Sequence, residues 1–402
     1  MSYSTEKAEI LLENYSRTNI ICSDNAESMV IEWMLQEGFS QALIFTSPTA
    51  GTSRGSAGVR FLKSVGESEI EAPFYTAIPP EPDVECVRKM VAELEKVQPE
   101  CVMAIGGGSV MDAAKAAYLS WQSKVDVTEM FGVNKITERF PGKDFKRVLC
   151  IPTTSGTGSE VTPYSNIVDT VSGVKKLIVE EAIIPRWAFI NALNTVTMPE
   201  DLTVTTALDA LVHCIESYLN TAQKDFPAEA PQWALEGIRL IARNLPELLE
   251  DPASLPRRKA VALGAALGGM CITHRATSLP HLASFSLYGK IPHGKAVAAL
   301  LAPFWRYYIG EKLLAERTMD LAGLFSVKKE DTPEEVIASW ERFVEKVRGK
   351  GRLSDYSFLD KSIVEKIAGD ALLNPMKLAS CPRSLPLEEA EHTIKEILEK
   401  AW

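Results

Sequence analysis

Histidine is scarce in this chain: 402 residues contain five, His213, His274, His281, His293 and His392. Basic charge is not in excess either. The 43 Lys and Arg are outnumbered by 53 Asp and Glu, for a net charge of −10 and a pI near 5.3. That balance argues against a nucleic-acid-binding surface, though an acidic exterior is compatible with a local basic pocket for a small anion. No uninterrupted apolar run approaches the ~18 residues of a membrane-spanning helix. The opening stretch MSYSTEKAEILLENYS lacks the apolar core of a secretory signal. Cys-x-x-Cys pairs are missing. The seven cysteines are scattered and odd in number, so reduced, buried thiols in a cytoplasmic protein are expected.

What is present is the composition of a globular protein, 46% hydrophobic and 24% charged, long enough for two domains. In the first half, short apolar runs alternate with helical stretches. ALIFT (42–46), CVMAI (101–105), VLCI (148–151) and WAFI (187–190) read as buried strands, and strands separated by helices predict a doubly wound parallel sheet. Residues 47–58 read as a polar loop. From about Pro199 the pattern becomes helical, with amphipathic stretches over 202–219, 233–249, 258–272, 295–308, 313–325, 333–346 and 387–402. The expected organisation is an α/β domain over 1–190 and an all-α domain over 191–402, with a cleft between them as the default place for a site.

Three motifs carry chemistry. Strand CVMAI runs into Gly106-Gly107-Gly108-Ser109-Val110-Met111-Asp112 and then a helix. Glycines let backbone N–H groups approach a phosphate, and the helix N-terminus adds partial positive charge. The next strand leads into a second loop rich in hydroxyls and glycine, Pro152-Thr153-Thr154-Ser155-Gly156-Thr157-Gly158-Ser159-Glu160. Two such loops at the carboxyl ends of parallel strands suggest a nucleotide. Asp209 and His213 are four residues apart, on one helix face, and His281 and His293 follow. One carboxylate and three imidazoles make a set of ligands for a divalent metal, with His274 competing for the place of His281.

These stretches resemble the iron-containing (group III metal-dependent) alcohol dehydrogenase family, including its sulfoacetaldehyde and phosphonoacetaldehyde reductase-like members. The resemblance rests on GGGSVMDAAKA (106–116), PTTSGTGSEVT (152–162), ALDALVHCIESY (207–218) and PHGKAVAALLAPF (292–304). CPRSLPLEEA (381–390) is similar to the family's C-terminal Asn-Pro-Arg segment, with Cys381 replacing Asn. The resemblance implies a dehydroquinate synthase-like architecture, an N-terminal dinucleotide-binding domain followed by a helical metal-binding domain. It implies Asp209, His213, His281 and His293 as ligands of Fe²⁺, with Zn²⁺ as the rival ion. It places the pyrophosphate of NAD on Gly107, Gly108, Ser109 and Asp112, and the rest of the cofactor along Thr153, Thr154, Thr157 and Ser159. A cofactor-contacting lysine would be Lys175 or its neighbour Lys176. By analogy a homodimer is expected.

Departures from the family pattern shape the reading. NAD-dependent members usually carry a Thr-Asp pair after the first strand, where the Asp binds the ribose 2′-hydroxyl. Here the pair is Thr46-Ser47, so repulsion of a 2′-phosphate is relieved and NADP is open alongside NAD, with Ser47 at the cofactor. Many relatives have His four residues after the third ligand, where this chain has Phe285. The expected reaction is hydride transfer between NAD(P)H and a small aldehyde or primary alcohol, with solvent, the cofactor ribose or His274 handling the proton. Asn166, Lys176 and Arg275 are candidates to hold an anionic group beside the aldehyde, as in sulfoacetaldehyde. A general short-chain alcohol or diol dehydrogenase and a non-redox dehydroquinate-synthase-like lyase are the alternatives.

Overall fold

The computed structural model describes residues 4–222 and 226–402, apart from the side chain of Met376. The chain divides into two compact units, Glu9–Thr197 and Met198–Trp402, with residues 4–8 also belonging to the second. Those first residues were expected in the α/β half. They go instead to the helical unit, where Arg239 donates to the Ser4 carbonyl at 3.2 Å and Lys7 stands 3.9 Å from Glu236.

In the α/β unit, nine strands form two sheets. They are β1 (Asn19–Cys22), β2 (Ala42–Thr46), β3 (Phe74–Tyr75), β4 (Cys101–Gly106), β5 (Gly132–Val133), β6 (Leu149–Pro152), β7 (Tyr164–Asp169), β8 (Val174–Val179) and β9 (Trp187–Ile190). The larger sheet has the order β1-β9-β6-β4-β2-β3 and every pairing in it is parallel. β2, β4 and β6 are apolar and buried along their whole length, as a sheet covered on both faces requires. The period-2 alternation shows which face each residue serves. Leu43, Phe45, Val102 and Ala104 enter one core cluster, and Ala42, Ile44, Cys101 and Met103 enter the other.

The four expected strands appear here. β1 and β3 were not expected, being short and only partly buried, with apolar runs of no more than three residues. The smaller sheet, β5-β8-β7, was also missed; its strand β8 begins with the exposed Val174 and Lys175 followed by Lys176, and is only partly buried. Residues 47–58, expected as a loop, contain a helical turn over Pro48–Thr52. Ser47 caps it by accepting from the Ala50 N–H, and Pro48 occupies its first position.

The sheet order reverses direction between β2 and β4: from β2 the chain moves outward to β3, then returns to the other side for β4 and β6. Open sheets bind ligands at the carboxyl ends of the strands flanking such a point. Gly107 begins the loop there, capping helix α1 (Gly108–Ser123). Under it lies Lys115, with 1% exposure, which donates to the Ser159 and Thr162 carbonyls at 2.9 and 3.2 Å and so fastens the second loop to α1.

The helical unit is organised around α2 (Glu200–Leu219), with α3 (Ala230–Glu250), α4 (Leu255–His274) and α6 (His293–Tyr308) packed against it and α5 (Leu279–Ser284) packed on α6. From Ala207 to Leu219 every residue of α2 is buried, so its polar side chains need internal partners. The expected helix over 313–325 is shorter, Lys312–Met319. Gly323 adopts a left-handed φ of +81° and its N–H goes to Glu330 at 2.6 Å, which turns the chain out of the helix.

Glu160, with 4% exposure, lies in the second loop, and burial pushes its carboxyl up to about 7 from 4.5. The folded chain therefore keeps a proton that the unfolded chain has already lost. Stability is expected to fall as pH rises between about 4.5 and about 7 and to level off above. Glu160→Gln should flatten that slope, by an amount of the order of 3 kcal/mol, in urea unfolding followed across this window.

Candidate functional site

Three imidazoles surround one buried carboxylate oxygen in the helical unit. Nε2 of His213 lies 3.6 Å from Asp209 Oδ1, and Nε2 of His281 and of His293 lie 3.5 Å from the same atom. Asp209 Oδ1 and His281 Nε2 are buried and have no hydrogen-bond partner among the described residues. The spacing is long for a hydrogen bond and fits another arrangement. Ligands held ~2.1 Å from one ion in a tetrahedral set stand ~3.4 Å from each other. Ligand atoms of Asp209, His213 and His281 all lie within 4.8 Å of one another. His293 stands on the open side, with 44% of its side chain exposed against 5–7% for the other three.

Local packing sets these positions. α2 presents Asp209 and His213 one turn apart. A Cβ at Gly268 of α4 would come 3.1 Å from the Ala210 carbonyl and 3.5 Å from His213 Cβ, so α4 can lie close to the ligand helix. At Gly294 a Cβ would overlap the Thr205 carbonyl at 1.8 Å and meet Asp209 Cβ at 3.1 Å. Glycine at 294 lets the start of α6 rest on the α2 backbone, and that contact carries His293 to Asp209.

Sequence reasoning missed the residues that orient the imidazoles. Glu216, on α2 and fully buried, makes a short contact with His281 Nδ1 and accepts from the Ser278 N–H at 2.7 Å and the Ser278 hydroxyl at 2.8 Å. Ser278 in turn lies 3.0 Å from the Tyr308 hydroxyl. A carboxylate on Nδ1 fixes the tautomer whose Nε2 is a free lone pair. Ser284 does similar work for His293: its hydroxyl donates to the His281 carbonyl at 2.7 Å and stands 3.3 Å from His293 Nδ1. The available signal was position: Glu216 lies seven residues after Asp209, two turns along the same helix face.

The electrostatics match. Burial opposes ionisation of Asp209, yet His213, His293 and His281 together hold its carboxyl well below the usual range. Burial pushes His213 down to about 4, against the pull of Asp209. For His281, burial is outweighed by Glu216 and Asp209, which raise it. A carboxylate with an imidazole kept neutral is the donor chemistry that a divalent first-row metal requires, so these residues fit an ion of that class.

In the α/β unit, the two loops expected at a cofactor pack against each other. A Cβ at Gly107 would lie 3.1 Å from Thr154, and one at Gly108 would lie 2.7 Å from Thr157. Thr153 continues the ladder, its N–H donating to Gly106 O at 3.0 Å. Ser109 accepts from the Glu81 N–H at 3.3 Å. Asp112 is 8% exposed and engaged internally. It accepts from the Ser159 hydroxyl at 2.5 Å and the Asn166 N–H at 2.9 Å. Asp112 and Ser159 thus tie the loops together. Lys175 pairs with Glu81 at 2.8 Å.

The candidates expected to hold an anion are each engaged within their own unit. Asn166 lies on β7 with its N–H on Asp112, and Lys176, on β8, pairs with Asp169 at 2.8 Å. Arg275, 1% exposed, donates to the Ser217 carbonyl at 3.0 Å beneath the Phe226 ring. There it complements the carboxyl end of α2. His274, expected at the proton, packs against Trp233 with ring centroids 5.6 Å apart.

Two outcomes follow from this geometry. Fe²⁺ or Zn²⁺ at about a thousandfold excess over its Kd should stabilise the chain by about 4 kcal/mol in thermal melts, and a chelator should reverse the gain. Glu216→Gln should weaken metal binding about 10- to 100-fold in a competition titration, with the helical circular dichroism retained.

Comparison with known proteins agrees with this architecture. Residues 17–192 match the model described as iron-containing alcohol dehydrogenase, and residues 203–402 match that described as Fe-containing alcohol dehydrogenase family, C-terminal. The 1,3-propanediol dehydrogenase of Klebsiella pneumoniae is 30% identical over 285 residues, covering 70% of this chain and 72% of that one. A crystal structure of 1,3-propanediol oxidoreductase superposes with a TM-score of 0.84 at 26% identity, over 95% of this chain and 97% of that one. The sulfoacetaldehyde reductase of Bifidobacterium kashiwanohense, solved in complex with NAD+, shares the fold at 21% identity, with a TM-score of 0.80 over 96% and 98% of the two chains. The match spans less of some relatives: 28% of aldehyde-alcohol dehydrogenase 2 of Entamoeba histolytica and 62% of the 1-propanol dehydrogenase PduQ of Salmonella typhimurium. With both halves matched and the fold shared end to end, the chain belongs to the iron-containing alcohol dehydrogenase family.

Proposed function

We propose that this protein is a metal-dependent oxidoreductase that moves hydride between NAD(P)H and a small aldehyde or primary alcohol. The observation that carries the reading is the ring of three Nε2 atoms 3.5–3.6 Å from a single carboxylate oxygen. Asp209, His213, His281 and His293 hold an iron(II) or zinc ion in this reading. When bound, that ion supplies a Lewis acid that polarises a carbonyl and stabilises charge developing on its oxygen, typically worth several kcal/mol. Glu216 and Ser284 keep the lone pairs of His281 and His293 aimed inward. Burial of Asp209, His213 and His281 keeps water from these ligands.

The α/β unit holds the dinucleotide. Gly107, Gly108 and Ser109 bring backbone N–H groups and the α1 terminus to the pyrophosphate, beside Thr153, Thr154 and Thr157. Asp112 and Ser159 act as the brace between the loops. The reductase solved with NAD+ shares this fold, which supports a nicotinamide cofactor. Ser47, in place of a carboxylate, supports acceptance of both NAD and NADP. The names of the 1,3-propanediol and 1-propanol dehydrogenases support a short alcohol or diol. The chain works in this reading as a cytoplasmic homodimer, by analogy within the family.

With iron(II) bound, the protein should oxidise NADH or NADPH in stoichiometric proportion to propionaldehyde reduced, and Asp209→Asn should bring the rate to background. Metal bound at full occupancy with neither cofactor oxidised by any small aldehyde would remove the redox assignment.

A further inference from the structure

Tyr308, the last residue of α6, is fully buried and carries a hydroxyl into the interior of the helical unit. A buried phenol is costly unless its O–H is bonded. The Tyr308 hydroxyl stands 3.0 Å from Oγ of Ser278, the residue just ahead of α5. It also hydrogen-bonds with the buried thiol of Cys381, at the position where the family carries Asn.

The protons in this group can be counted. Glu216 Oε1 accepts from the Ser278 N–H at 2.7 Å and from the Ser278 hydroxyl at 2.8 Å. A serine hydroxyl has one proton, and a carboxylate draws it more strongly than a neutral phenol does. The bond between Ser278 and Tyr308 is then donated by Tyr308. On its other side, Glu216 Oε2 is the partner of His281 Nδ1. The direction is fixed throughout: Tyr308 donates to Ser278, Ser278 donates to Glu216, and His281 donates to Glu216 from the opposite side. Glu216, Ser278 and Tyr308 are all 0% exposed, so bulk solvent does not compete for these bonds.

Such a chain acts on charge. Hydrogen bonds in series polarise one another. Tyr308 makes the Ser278 hydroxyl a better donor, and that donor takes up more of the charge on Glu216. The charge that remains sets how hard Glu216 pulls on the Nδ1 proton of His281. That pull raises the electron density at the ligand atom Nε2, which is buried 3.5 Å from Asp209 Oδ1. A phenol two hydrogen bonds away from His281 therefore limits how electron-rich this ligand becomes. An electron-rich ligand favours a ferric ion over a ferrous one and weakens it as a Lewis acid.

We propose that Tyr308 is a positioning residue of the metal centre, acting through Ser278 and Glu216 to fix the proton on Nδ1 of His281 and to keep bound iron in the ferrous state. This rests on the reading of Asp209, His213, His281 and His293 as metal ligands.

The test uses the full chain, loaded with iron for potentiometry and with zinc for nuclear magnetic resonance. It compares wild type, Tyr308→Phe, Ser278→Ala and the double variant. Tyr308→Phe removes one oxygen and keeps the ring. Its Fe³⁺/Fe²⁺ potential should fall, with the ferric-to-ferrous affinity ratio rising about threefold to tenfold. That is less than the roughly 10- to 100-fold effect of an outer partner in direct contact with a ligand, and tenfold corresponds to about 59 mV for one electron. In the zinc form, the His281 Nδ1–H resonance should move downfield as its bond to Glu216 strengthens. With Ser278→Ala already in place, Tyr308→Phe should move neither quantity, because the route is cut. Circular dichroism and metal content check that each variant is folded and loaded, and Tyr308→Phe decides the case alone if Ser278→Ala does not fold. A loss of stability with potential and resonance unchanged in Tyr308→Phe overturns the proposal. So does a shift of the same size with and without the Ser278 hydroxyl. A wild type that binds neither ion would remove the metal reading, and this proposal with it.

Discussion

A carboxylate buried in the middle of a helix has to be compensated, and Asp209 is compensated by three imidazoles. Much of the helical unit follows from that constraint. α2 is buried from Ala207 onward, so Asp209 is largely cut off from solvent and the surrounding helices deliver the nitrogen atoms. Delivery depends on close backbone approach. Gly294 lets α6 touch α2 where His293 must arrive, and Gly268 does the same for α4 behind His213. The imidazoles must also be oriented, because a histidine ring that turns over presents the wrong atom. Glu216 and Ser284 prevent that by occupying Nδ1 of His281 and His293. The buried charges of Asp209 and Glu216 therefore support one another through His281, and a change at either is felt at the other.

The α/β unit solves a different problem, that of making a concave surface from backbone. Two loops leave neighbouring parallel strands at the point where the sheet order reverses. Glycines of one loop lie against threonines of the other at distances that leave no room for a Cβ. The charged residues among them, Asp112 and Lys115, face inward and tie the loops to each other. Rigidity of this kind is useful for a dinucleotide site, because backbone donors held in place lose little entropy when a phosphate arrives.

Local patterns in the chain were sufficient for much of this. The runs ALIFT and CVMAI declare strands buried on both faces, and the glycine- and threonine-rich runs mark the loops that follow β4 and β6. The spacing of Asp209 and His213 declares one helix face. What failed were elements whose apolar runs are short or interrupted by polar residues: β1, β3 and the partly buried pair β7 and β8. The candidates picked by charge have partners that the sequence does not announce. Arg275 ended beneath Phe226 at the end of α2, and Lys176 paired with Asp169.

By itself, then, the sequence determined which segments are strands and helices, which loops carry glycine, and which residue types are able to bind metal. All of these depend on neighbours a few positions away, through steric limits on the backbone and the period of burial. The tertiary structure alone decided which buried polar groups meet. It brought His281 and His293 to Asp209, gave Glu216 to His281, and set Tyr308 against Ser278. A hydrophobic pattern records that a side chain is covered, and carries no record of which distant partner covers it. Such pairings are settled only when the helices pack and each buried charge must find its complement.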